Sequence, residues 1–134
     1  MTKIKSSYLG DLRIVSEHLQ SGDKLRTDAP VDNNGKGSHF SPTDLVATAY
    51  LNCMITIIGI YCDQHGIKFE GCSGEVEKTM KDQPRRIGKL KLMLDCSQND
   101  WDEKTRKRIE SAGKNCPVAK SVDPEIAVDI EFTY

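Results

Sequence analysis

Five cysteines stand at positions 53, 62, 72, 96 and 116 of this 134-residue chain. A thiol can attack a peroxide or a disulfide, ligate a soft metal, or simply pack, and its surroundings decide which. None of the five forms a C-x-x-C pair, which disfavours both a zinc knuckle and a thioredoxin-type site. Cys62, His65 and Cys72 come nearest to ligand spacing but lack a fourth partner. No metal is expected, and Cys62, Cys72 and Cys96 read as structural. Cys116 precedes Pro117 at the start of a helical turn, where unpaired amides and the helix dipole favour a thiolate. Cys53 shares a helix face with Val46, Ala49, Tyr50, Ile57 and Ile60. From the residues alone, both also read as small packed hydrophobes, and the choice stays open.

The element that carries Cys53 is the strongest in the chain. Ser41-Pro42-Thr43-Asp44 spells a helix start, with a serine cap, proline in the first helical position and an acid three residues after the cap. From Leu45 to Tyr61 the chain is apolar nearly all round, and Gly66 supplies a left-handed stop. A helix apolar on every side must be surrounded. The stretch is at the lower limit for a membrane span, and amphipathic strands follow it, so a protein environment is expected. One small sheet covers one flank only, which predicts a second subunit on the other.

Around this helix the sequence predicts strands at Ile4 to Tyr8, Leu12 to Leu19 and Lys24 to Thr27, with Gly10-Asp11 as a turn and residues 28 to 41 as a loop. Beyond it come a strand from Ile67 to Met80, interrupted by Gly71 and Gly74 in a bulge or bend, and a second from Ile87 to Asp95. A second helix is expected from Asn99-Asp100, with Glu103 in its first turn, to Lys114. Ile126, Val128, Ile130, Phe132 and Tyr134 alternate with polar residues in a last strand. The order β-β-β-α-β-β-α-β reads as one α+β domain over residues 1–134, built on antiparallel sheet.

Composition narrows the function classes. Lys and Arg total 19 against 20 Asp and Glu, a net charge of −1, which gives no general attraction to nucleic acid or an anionic membrane. No apolar export signal opens the chain, and free cysteines without one point to a cytoplasmic protein. No nucleotide-binding glycine pattern is present.

The segment SPTDLVATAYLNC, Ser41 to Cys53, resembles the motif that opens the long central helix of the OsmC/Ohr family. NCPVAKSV, Asn115 to Val122, is similar to that family's second motif, and the separation of Cys53 from Cys116 is also much as in the family. The resemblance covers essentially the whole chain. It implies the OsmC-like fold, antiparallel sheets wrapped around a long central helix in an intertwined homodimer. It also implies a thiol peroxidase that reduces organic hydroperoxides, with Cys53 attacking and Cys116 resolving. No cofactor is implied, only an external dithiol such as a lipoylated protein or thioredoxin.

The attacking thiol needs help. A pKa near 8.5 leaves only about 3 % thiolate at pH 7, and lowering it to roughly 6.5 requires some 2.7 kcal/mol. Cys53 lies about three turns inside its helix, too deep for the N-terminal dipole to supply this. The family places an Arg in a G-R motif after the first strand; here the sequence runs Gly10-Asp11-Leu12-Arg13. Its helix-start Glu is met by Thr43, with Asp44 next. Candidate activating cations are therefore Arg13, Arg85 and Arg86, with Asp44 as the acidic member of the site. Two other readings stand beside the peroxidase: a non-enzymatic redox sensor, and a carrier of small apolar ligands.

Overall fold

The first strands are joined by a turn whose backbone is left-handed throughout. Gly10, Asp11 and Leu12 have φ of 91°, 53° and 63°, and Gly10 pairs with Arg13 across them. Two central residues at positive φ match the right-handed twist of a hairpin. In the computed structural model, which describes residues 1–134, this hairpin opens the first of two compact units, Met1–Val46 and Ala47–Tyr134.

In the first unit, β1 (Ile4–Gly10), β2 (Arg13–His18) and β3 (Lys24–Asp28) form an antiparallel meander in the order β1-β2-β3. Residues 29–41 follow as a loop containing one 3-10 turn, Val31–Asn33. The helix α1, Pro42–His65, starts at the end of this loop. Its reciprocal cap is the expected one: Asp44 N–H donates to Ser41 Oγ at 3.0 Å, and Ser41 N–H donates to the Asp44 carboxylate at 2.9 Å. The helix ends where Gly66 turns left-handed at φ 62°, with Ile67 N–H returning to the Cys62 carbonyl at 2.9 Å.

The second unit holds the rest of α1, then β4 (Ser73–Lys81), β5 (Arg86–Asp95), α2 (Glu103–Lys114) and β6 (Ala127–Thr133). Leu90, Leu92 and Leu94 of β5 are fully buried against Tyr50, Met54 and Ile58 of α1. Each such leucine contributes roughly 1.5–3 kcal/mol. Register aligns the same columns across the sheet, with Leu90 beside Val128, Leu92 beside Ile130 and Leu94 beside Phe132. A second tie joins the helices, where the Arg108 guanidinium donates to the Tyr61 hydroxyl at 2.8 Å.

Three expectations need correction. The sheet of the second unit is mixed, because β4 and β5 are antiparallel but β6 joins β5 in parallel. The crossover through α2 brings the chain back in the direction of β5, and alternation along β6 carries no information about strand direction. The strand expected from Ile67 starts only at Ser73. The preceding residues bond to side chains instead, Lys68 C=O to Trp101 Nε1 at 2.9 Å and Glu70 N–H to Asn99 Oδ1 at 2.8 Å, and the strand's irregularity falls between Thr79 and Met80. Lastly, α2 is capped by Asp102, whose carboxylate accepts the Thr105 amide at 2.8 Å; Asn99 is occupied with Glu70.

Candidate functional site

Cys116 is placed by the end of α2. Its amide donates to the Gly113 carbonyl at 3.3 Å, and its own carbonyl accepts the Lys120 amide at 3.2 Å, so the residue sits between a helix end and a helical turn. Gly113 lies against α1. A β-carbon there would stand 3.2 Å from both Ile58 Cγ1 and Cδ1. The absent side chain is what lets α2 approach α1 closely enough to deliver Cys116 to the helix that carries Cys53.

The two sulfurs meet. Cys53 is half-buried and Cys116 fully buried, both are free thiols, and the two side chains lie close enough to interact. Burial is the main influence pushing the Cys116 thiol up from its ordinary value; the amides of Ala119 and Val118 pull the other way, and the bond to Cys53 pushes up again. Ala119 N–H donates to Cys116 Sγ at 3.4 Å, which holds that sulfur in place. Tyr50 is buried nearby, its phenol pushed up by burial and then by the Cys116 sulfur.

Of the residues singled out from the sequence, the structure brings together Cys53 and Cys116. Asp44 closes the α1 cap. Arg13 forms a two-pronged ion pair with buried Asp28, its Nε at 2.7 Å and an Nη at 2.9 Å from the carboxylate. Arg86 donates to the Asp82 and Pro84 carbonyls at 3.0 and 2.7 Å, tightening the β4–β5 turn that contains Arg85. Sequence reasoning missed Gly113 and the amide of Ala119 as positioning groups. Glycine inside a helix costs about 1 kcal/mol against alanine, and that local penalty was the available signal.

With Cys53 and Cys116 set, two kinds of likeness to known proteins bear on the chain. The family model described as OsmC-like protein matches residues 35–131, which include both cysteines. The solved structure of a candidate osmotic stress induced and detoxification response protein from Psychrobacter arcticus superposes with a TM-score of 0.93 at 44% identity, covering 99% of this chain and 96% of that one. An organic hydroperoxide resistance protein OsmC from Legionella pneumophila gives 0.80 at 18% identity, covering 100% and 97%. The organic hydroperoxide resistance protein OhrB of Bacillus subtilis gives 0.69 at 20%, covering 99% and 98%. No curated protein matches the sequence. A match across most of the chain, motif cysteines included, makes this protein a member of the OsmC/Ohr family.

Proposed function

We propose that the protein is a thiol-dependent peroxidase that reduces organic hydroperoxides through a Cys53–Cys116 sulfenate and disulfide cycle. The observation that carries this reading is that the fold brings the Cys53 and Cys116 thiols, far apart in sequence, within reach of each other. Names borne by family relatives point to hydroperoxide resistance, and the Cys53 face of α1, with Ala49, Tyr50 and Ile57, suits an apolar substrate.

The Cys53 thiolate attacks one peroxide oxygen. An S–O bond forms, the O–O bond breaks, and the alkoxide leaves as alcohol after taking a proton, while sulfur loses two electrons. Cys116, already beside it, then attacks the sulfenyl sulfur; the S–S bond forms and water departs. An external dithiol of the lipoylated-protein or thioredoxin class returns both thiols by exchange. No bound cofactor takes part. Burial, which pushes the Cys116 thiol up, suits it to the second role.

Arg13 and Arg86 are the cations proposed to favour a Cys53 thiolate, although Asp28 holds the first guanidinium and two turn carbonyls hold the second. Alkylation of Cys53 across pH in Arg13→Ala and Arg86→Ala measures each contribution; profiles superposing on wild type in both variants would remove both. A homodimer is also proposed. The α1 helix is apolar on all sides, yet Ile60 remains 45% exposed within the chain. A monomer in sedimentation equilibrium would refute it.

Steady-state reduction of cumene hydroperoxide or tert-butyl hydroperoxide with a dithiol tests the whole reading. Activity should vanish in Cys53→Ser; undiminished activity there overturns the proposal. A single round of oxidation without recycling would instead favour a redox sensor.

A further inference from the structure

A second pair of thiols faces each other outside this site. Cys72 immediately precedes β4 and Cys96 immediately follows β5. The antiparallel register that matches Ser73 to Asp95 makes these two the next opposed positions. Asn99, itself buried, clamps the two chain segments. Its Oδ1 accepts the Glu70 amide at 2.8 Å, and its Nδ2 donates to the Gly71 and Cys96 carbonyls at 2.9 and 3.0 Å. Cys96 N–H is fixed to the Thr133 carbonyl at 2.7 Å. Opposed residues of an antiparallel pair have Cα atoms about 4.5–5.5 Å apart, inside the roughly 4.4–6.8 Å that a disulfide spans. The two thiols lie close enough to influence each other's ionisation.

The partners are unequal. Cys96 is fully buried, and its thiol is pushed far up, first by its bond to Cys72, then by burial and the nearby Asp95 and Glu110 carboxylates. Cys72 is half-buried, and that same bond pushes its pKa down. The sulfur that ionises more readily is therefore also the one with access to solvent, which is the arrangement oxidation of a thiol requires.

We propose that Cys72 and Cys96 are a second redox-active pair, closing reversibly to a disulfide when the protein meets hydroperoxide, without help from Cys53 or Cys116. The Cys72 thiolate attacks a peroxide oxygen; S–O forms, O–O breaks, and the alkoxide takes a proton and leaves as alcohol. Cys96 gives up its proton and attacks the resulting sulfenyl sulfur, so that S–S forms and water leaves. A dithiol reductant reverses the step by exchange. The bond staples the two ends of the β4–β5 hairpin beside Asn99, turning an open pairing into a closed loop.

The test uses the full chain carrying Cys53→Ser and Cys116→Ser, so that its outcome is independent of the peroxidase cycle. After tert-butyl hydroperoxide treatment, free thiols are blocked in denaturant and the peptides are mapped by mass spectrometry. The expected result is a Cys72–Cys96 linked peptide, with Cys62 alone still fully blocked, and recovery of both thiols with dithiothreitol. The oxidised form should melt about 10 °C higher, as a loop of this length implies. The same linked peptide is expected from the oxidised wild-type chain and is lost in Cys72→Ser, so poor folding of the double variant does not shield the proposal. Full blocking of Cys72 and Cys96 after oxidation of the wild-type chain, or a Cys72 sulfinate with Cys96 free, overturns it.

Discussion

The Cys116 thiol lies beside that of Cys53 in a position with no solvent exposure. Burial pushes the Cys116 thiol up from its ordinary value, while Cys53 on α1 is half-exposed. In the proposed peroxidase cycle the pair is therefore ordered in time as well as in space, with peroxide meeting Cys53 first. Cys116→Ser should leave the first step intact and remove the second. One equivalent of hydroperoxide is then consumed per chain in a burst, followed by a stall, and Cys53 becomes labelled by dimedone as the sulfenic acid. Loss of the burst itself would mean that Cys116, not Cys53, takes the oxidising hit.

Acid stability should depend on Arg13. The Arg13 guanidinium beside Asp28 holds that carboxyl down at about 2, with the Ser38 amide assisting, against an ordinary value of 3.8. The folded pKa lies below the unfolded one, so the pair's contribution is complete above about pH 4 and is lost as pH falls toward 2. Arg13→Ala removes the main cause of that depression. Its acid unfolding, followed by circular dichroism, should begin at higher pH than in wild type, with the two curves differing least in slope near neutrality. Superposed acid limbs would show that the ion pair contributes nothing to folding.

The central helix was legible because cap, apolar run and terminal glycine agreed along one continuous segment, and the structure reproduces Pro42–His65. The parallel pairing of β6 was not, since side-chain alternation is the same in either direction. Asn99 misled for a related reason. In sequence it is a plausible cap for α2, yet its carboxamide is committed to Glu70 and Gly71, nearly thirty residues earlier, and such distant partners leave no local trace. Cysteines show the limit most plainly. Motif resemblance marked Cys53 and Cys116, whereas Cys72 and Cys96 became neighbours only once the β4–β5 register was known.

Gly113 should be intolerant of branched side chains. Its hypothetical β-carbon already approaches two Ile58 carbons at 3.2 Å and Met54 Cε at 3.7 Å, so the extra methyls of Gly113→Val must push α2 away from α1. Overpacking of this kind costs about 1–3 kcal/mol, readable as a lower midpoint in urea. Cys116 follows immediately on α2, and the displacement should also slow formation of the Cys53–Cys116 disulfide more than it slows alkylation of Cys53. Equal slowing of both would indicate general loosening and not a shift of α2.

Asn99→Ala should be among the more damaging single changes outside α1. The substitution strips the Glu70 amide, the Gly71 carbonyl and the Cys96 carbonyl of a shared partner in a part-buried setting. Orphaned polar groups of this sort cost about 1–3 kcal/mol in total where water cannot fully replace the lost bonds. Asn99→Asp is a sharper probe: it keeps the acceptor for Glu70 but sets a carboxylate against two carbonyls, and it should be worse than alanine at neutral pH and recover toward wild type as the acid protonates. Urea denaturation of both variants at two pH values reads this directly. An aspartate variant as stable as wild type at pH 7 would mean that the Nδ2 bonds to Gly71 and Cys96 do not hold the strand ends together.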